Sequence, residues 1–210
     1  MTAKIKSPER LVFFSDAVVA IALTLLILPL ADLVKEYGRS APADATYPTD
    51  SHSMFTAHSW LIYAFLLSFA VILRFWFSHH RIFEHVRAYS TPLLLVNMLW
   101  VLSVVFLPFP TEMVANFASD DRLTHIVYGG NLFMSSVLLT ALVWIIRRDP
   151  EVRREGDDEF SDRRWFDAVT TSGTIGVATL LMAVFPSLSY YPLLLGVLQP
   201  QLVRLRFRSH

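Results

Sequence analysis

Six runs of apolar residues, at about 11–30, 55–77, 92–114, 123–146, 166–185 and 190–205, constrain this chain more than any other feature. Crossing a bilayer as a helix takes roughly 17–25 residues, which is about the length of each run. They occupy well over half of the 210 residues, so the sequence predicts an all-α membrane protein with six transmembrane helices in a single domain, residues 1–210. Composition agrees: 54% of the residues are hydrophobic and 17% charged, against about 45–50% and about 25% in soluble domains. The sixth run is the least regular, because Pro192 opens it and Gln199-Pro200-Gln201 interrupts its inner end. The first, Leu11 to Leu30, holds one charge, Asp16, and is expected to stop at Pro29, ahead of Asp32, Lys35 and Glu36. It is too long for the apolar core of a signal peptide, carries a carboxylate and lacks a small-residue cleavage site, so it reads as a retained span.

Retained cytoplasmic loops are rich in Lys and Arg, which gives the orientation. With both termini inside, Lys4, Lys6, Arg10, Arg74, Arg81, Arg87, Arg147, Arg148, Arg153, Arg154, Arg163, Arg164, Arg204, Arg206 and Arg208 fall on one side. Lys35, Arg39 and Arg122 fall on the other, so 15 of the 18 basic residues are cytoplasmic. The stretch from Ala31 to Ser53 has Pro, Gly and small polar residues without an amphipathic period and reads as an extracellular linker. Arg147 to Arg164 mixes both signs of charge and reads as a solvated cytoplasmic loop or short helix. No repeat between the halves is strong enough to mark the internal duplication common among transporters.

Lys plus Arg and Asp plus Glu number 18 each. That balance excludes nucleic acid as a partner, since a phosphate-binding face shows as excess base. The absence of Cys removes disulfides, thiolate nucleophiles, zinc ribbons and iron–sulfur clusters. Of the seven His, His79 and His80 are adjacent and diverge by about 100° on a helix. His52, His58 and His125 fall outside, and His85 and His210 in the cytoplasm. No facing pair suits a haem or a metal, so no cofactor is expected, and Trp100 and Trp144 read as packing or interfacial aromatics.

A charge inside a span costs about 2.5–3.5 kcal/mol on insertion scales, so Asp16 is a functional candidate by position. It lies six residues past Arg10, about 9 Å deeper along a helix. At 100° per residue, Phe14, Ala17, Val18, Ile21, Leu25 and Leu28 form one apolar stripe. Asp16 lies about 140° from Ile21, and Ser15 is also off the stripe. Such a stripe either packs against helices or lipid, or lines a pore in which aliphatic rings gate by dewetting. Period alone does not choose between them.

The segment from Arg10 through Phe14-Ser15-Asp16 to Ala22-Leu23-Thr24-Leu25-Leu26-Ile27-Leu28 resembles the signature of the transmembrane-protein-175 potassium channels, Arg-x3-Phe-Ser-Asp followed by an Ala/Ile-rich run. Trp76-Phe-Ser-His79-His-Arg81-Ile-Phe83 resembles that family's second helix, and Asn97 with Phe106-Leu-Pro108-Phe109 resembles its third. The resemblance covers residues 10 to about 110. It implies a prokaryotic-type subunit of six helices, cytoplasmic termini, residence in the cell membrane and a homotetramer whose first helices line a central pore. Family channels lack a Thr-Val-Gly-Tyr-Gly filter, as does this chain. Carried over by position, Ile21 matches the main constriction, Leu25 and Leu28 further apolar rings, and Thr24 a hydroxyl layer implicated in selectivity. The implied activity is passive conduction of potassium with modest preference over sodium. The partners are the bilayer, monovalent cations and other copies of the chain, and no enzymatic step is involved.

Asp16 faces away from the stripe and is expected to join helices rather than to coordinate the ion. Its candidate partners are Ser15, Trp76, His79 and Asn97, and the resemblance implies such a network. Arg10 and Arg74 could pair with it or reach the interface. The rival reading is a secondary transporter using Asp16 as an ion or proton relay. The absence of a detectable inverted repeat speaks against it, while Pro108 and Pro192 leave room for a broken helix.

Overall fold

The computed structural model describes residues 8–39, 51–154 and 160–195. Within them lie α1 (Glu9–Leu25), α2 (Leu28–Arg39), α3 (Ser51–Ala57), α4 (Ser59–Phe83), α5 (Thr91–Phe106), α6 (Pro108–Asn116), α7 (Arg122–Arg148) and α8 (Phe160–Val184). Among the described residues, five helical stretches are long and apolar enough to cross a membrane: Glu9–Lys35, Ser59–Phe83, Thr91–Asn116, Arg122–Arg148 and Arg164–Val184. Of the sixth expected helix, 190–205, residues 191–194 form a 3-10 turn, and 196–205 lie outside the described residues.

Several boundaries move. Pro29 does not end the first span; the chain turns at Leu26 and Ile27 and helix resumes at Leu28. Proline is tolerated in a first helical turn, where its missing N–H has no intrahelical partner to lose. The expected linker 31–53 is therefore helical over 31–39 and 51–53. The second span is shifted to Ser59–Phe83, which puts His79, His80 and Arg81 on its last turns. The third continues through Pro108 and Pro110 by the same device, with a break at Leu107. The fifth span, Arg164–Val184, lies close to the expected 166–185, and the helix that carries it starts at Phe160, inside the stretch read as a loop or short helix.

α7 is the central helix, packed against α8, α5, α6 and α4, while α1 leans on α4 and α5. Between apolar helices in lipid, close packing and hydrogen bonds hold the contacts rather than the hydrophobic effect. Both are visible at the α7–α8 seam. A Cβ on Gly129 would meet Thr179 and Met182 at 2.9 Å, and one on Gly176 would meet the Phe133 ring at 2.8 Å. Thr179 donates to the Gly129 carbonyl at 3.0 Å, and the Thr140 and Ser172 hydroxyls lie 2.8 Å apart. Elsewhere Thr111 of α6 donates to Ser68 of α4 at 2.8 Å, whose oxygen is 3.2 Å from Tyr128 of α7.

At the end of the bundle that holds the close of α4, the two following turns are clasped together. Val86 and Arg153 form an antiparallel bridge, with Arg87 N–H donating to Val152 O at 2.8 Å and Arg154 N–H to His85 O at 2.9 Å. The opposite end is closed by Tyr190, whose ring packs edge-on against His125 and Tyr128.

Candidate functional site

The first helix presents two different faces. Leu11, Ser15, Val19, Ala22 and Leu26 recur every three or four residues and are buried against α4 and α5. On the other side Ile21 is 58% exposed, Leu28 50% and Leu25 40%, and Phe14, Ala17 and Thr24 are exposed with them. Val18, placed on the stripe by its spacing, is turned partly into the core. Thr24 sits on the exposed face, where its hydroxyl donates to Ile21 O at 2.7 Å. Arg10 is exposed in the first turn.

Beneath the covered face runs a chain of buried polar groups. Ser15 Oγ donates to Leu11 O at 3.0 Å and accepts from Asn97 Nδ2 at 2.9 Å. Asn97 Oδ1 then lies 2.7 Å from His79 Nε2. Because the Asn97 oxygen can only accept, His79 carries its proton on Nε2. Ser15, His79 and Asn97 are fully buried. The His79 ring stacks on Trp100 at 4.1 Å, only 7° from parallel. Asp16 joins α4 separately, accepting from Trp76 Nε1 at 2.8 Å. The side chains expected near Asp16 thus form two strands: Asp16 with Trp76, and Ser15 with Asn97 and His79.

Trp100, read as an ordinary packing aromatic, belongs to this arrangement. The spacing that places it there is simple: Asn97 and Trp100 are three apart on α5 and share a face. His125, placed outside, is fully buried in α7, and Trp144 lies under the Arg148 guanidinium at 4.4 Å. Among the described residues no three His, Asp or Glu side chains are grouped to hold a metal ion.

A bundle of apolar helices joined by internally satisfied hydroxyls, amides and one carboxylate defines a multi-pass membrane protein. Comparison with known proteins gives its family. Residues 10–108 match the family model described as the endosomal/lysosomal potassium channel TMEM175. A potassium channel of Streptomyces collinus is 32% identical over 152 residues, 68% of each chain. One of Chamaesiphon minutus is 30% identical over 190 residues, 85% of this chain and 86% of that one. The crystal structure of a lysosomal potassium-selective channel TMEM175 homolog from Chamaesiphon minutus superposes with a TM-score of 0.72 at 27% identity, covering 94% of this chain and 96% of that one. The chain belongs to the TMEM175 family. Its family and structural neighbours are ion channels, not enzymes.

Proposed function

We propose that the chain is a potassium-permeable cation channel of the cell membrane, built from four copies around a central pore lined by the first helix of each. The observation that carries this reading is the uncovered face of α1, where Ile21, Thr24, Leu25 and Leu28 stand exposed while the opposite face is locked to α4 and α5. One such face encloses nothing; a ring of them encloses a path. Ile21 makes the narrowest aliphatic ring and Leu25 and Leu28 the next, giving a gate that closes by dewetting. Thr24 oxygens replace part of the ion's water. With so few oxygens compared with stacked carbonyl rings, potassium is preferred over sodium only modestly.

The Ser15–Asn97–His79 strand and the Asp16–Trp76 bond fix how α1 is rotated, and so which residues face the ion. Asp16, engaged with Trp76 and off the exposed face, is structural rather than a relay. Ions move down their own gradient without a cofactor, and both termini lie in the cytoplasm. Purified protein in liposomes with opposed potassium and sodium gradients tests the reading. Flux that follows the potassium gradient without a co-substrate is expected; flux that saturates and requires countertransport contradicts it.

A further inference from the structure

The first span is interrupted on the face that the single chain leaves open. α1 ends at Leu25, Leu26 and Ile27 form a turn, and Pro29 sits in the first turn of α2. Proline has no N–H, so the carbonyl of Leu25, four residues earlier, has no helical donor. The bond from the Ile27 amide to Thr24 O is long, 3.4 Å. In a helix the carbonyl of residue i points along the line to residue i+4, so the Leu25 oxygen lies on the side carrying Leu25 and Leu28. Both are exposed, as is Ile27.

The break between α5 and α6 shows the alternative solution. Pro108 likewise leaves the carbonyl of Val104 without its helical donor, but Val104 is buried and its oxygen accepts the Leu107 amide at 3.1 Å. That interruption is sealed by protein. A helix broken at membrane depth is tolerated where it is buried in protein or lines a water-filled cavity, and the break at Leu26 has no comparable cover on its open side. Two further features there favour a cation. The end of α1 concentrates the negative pole of its backbone dipole. Thr24 spends its hydroxyl proton on Ile21 O, which leaves only oxygen lone pairs facing outward.

We propose that the Leu25 carbonyl, one from each copy, forms a backbone oxygen ring that binds a partly dehydrated monovalent cation, and that Pro29 keeps this ring open. The site rests on the reading of α1 as the pore lining. It lies about 6 Å beyond Ile21 along the helix axis. Broken helices whose unwound carbonyls and half-helix ends hold alkali cations work by the same physics.

Pro29→Ala returns an N–H to the Leu25 oxygen. A chain with the α-hydroxy analogue of leucine at position 26 instead turns the Leu25 carbonyl into an ester, a weaker acceptor, with every side chain kept. In planar bilayers with potassium on one side and sodium on the other, both changes should lower the permeability ratio by about twofold or more, as expected when a coordinating carbonyl is weakened. The ester chain decides: an unchanged ratio there overturns the carbonyl site whatever Pro29→Ala does. Ile21→Asn, recorded alongside, separates the two readings. Raised current in Ile21→Asn with an unchanged ratio in the ester chain rejects only the carbonyl ring, whereas unchanged current in Ile21→Asn rejects the pore lining itself.

Discussion

Asn97 Nδ2 donates to Ser15 Oγ at 2.9 Å, and this bond joins α5 to the side of α1 turned away from Ile21. The same carboxamide holds His79 of α4 through its oxygen at 2.7 Å. Replacing Asn97 by Leu leaves the buried His79 Nε2–H without an acceptor and unties α5 from Ser15, whose own proton stays on Leu11 O. Each buried group left unpaired costs about 1–3 kcal/mol, and the membrane interior tends to the lower end of that range. Asn97→Leu should therefore lower the melting temperature in detergent and alter the conductance, because α1 loses its fixed rotation. Thermal unfolding and bilayer recordings of the same preparation check both effects.

The bond from Trp76 to Asp16 allows the channel and the transporter to be told apart. Asp16→Asn keeps an oxygen that can accept from Trp76, so potassium flux should persist with a small loss of stability. Trp76→Phe removes the donor and should cost more, about 1 kcal/mol. A relay carboxylate predicts the opposite order for flux: Asp16→Asn abolishes it and Trp76→Phe does not.

Span length and apolarity located the five long helical stretches, because bilayer thickness imposes a length that composition alone can meet. Their interruptions were less visible. Pro29 reads as a stop in one dimension, yet a proline in a new first turn lets the helix restart after two residues, and Pro108 behaves in the same way. The polar partners of α1 could be named from depth and residue type, but their pairing could not. That Ser15 meets Asn97 while Asp16 meets Trp76 depends on the 100° between neighbouring residues and on which helix stands on each side. Pairs such as Thr111 with Ser68 have no local signature, since each is an ordinary small polar residue until two helices bring them together.

The α7–α8 seam offers a matched comparison. Gly129→Leu places a branched side chain where a single Cβ already meets Thr179 and Met182 at 2.9 Å, and it should cost about 1–3 kcal/mol or more through overpacking. Gly173, exposed on α8 with nothing within 4 Å of an added Cβ, should accept the same Leu substitution without comparable loss. Melting temperatures of the two variants in the same detergent give the contrast.

Asp121 caps α7, and its carboxyl is held below its ordinary value by hydrogen bonds from the Thr124 hydroxyl and the Thr124 amide. A group whose pKa is depressed on folding stabilises the fold above its unfolded value, about 4, and that contribution disappears as pH falls through the lower folded value. Asp121→Ala should thus melt below the parent protein at neutral pH. The gap should narrow on acidification below about pH 4. A gap that stays constant down to low pH contradicts the cap's charge dependence.

The natural absence of Cys makes the central claim directly measurable, because every introduced thiol is the only one. Single Cys substitutions at Ile21, Leu25 and Leu28, and at the covered positions Val19 and Ala22, can be exposed to a small charged thiol reagent during potassium current recording. Modification should block current from the Ile21, Leu25 and Leu28 variants and leave those at Val19 and Ala22 unaffected. Block confined to Val19 and Ala22, or no block at any of the five, would contradict a pore lined by the open face of the first helix.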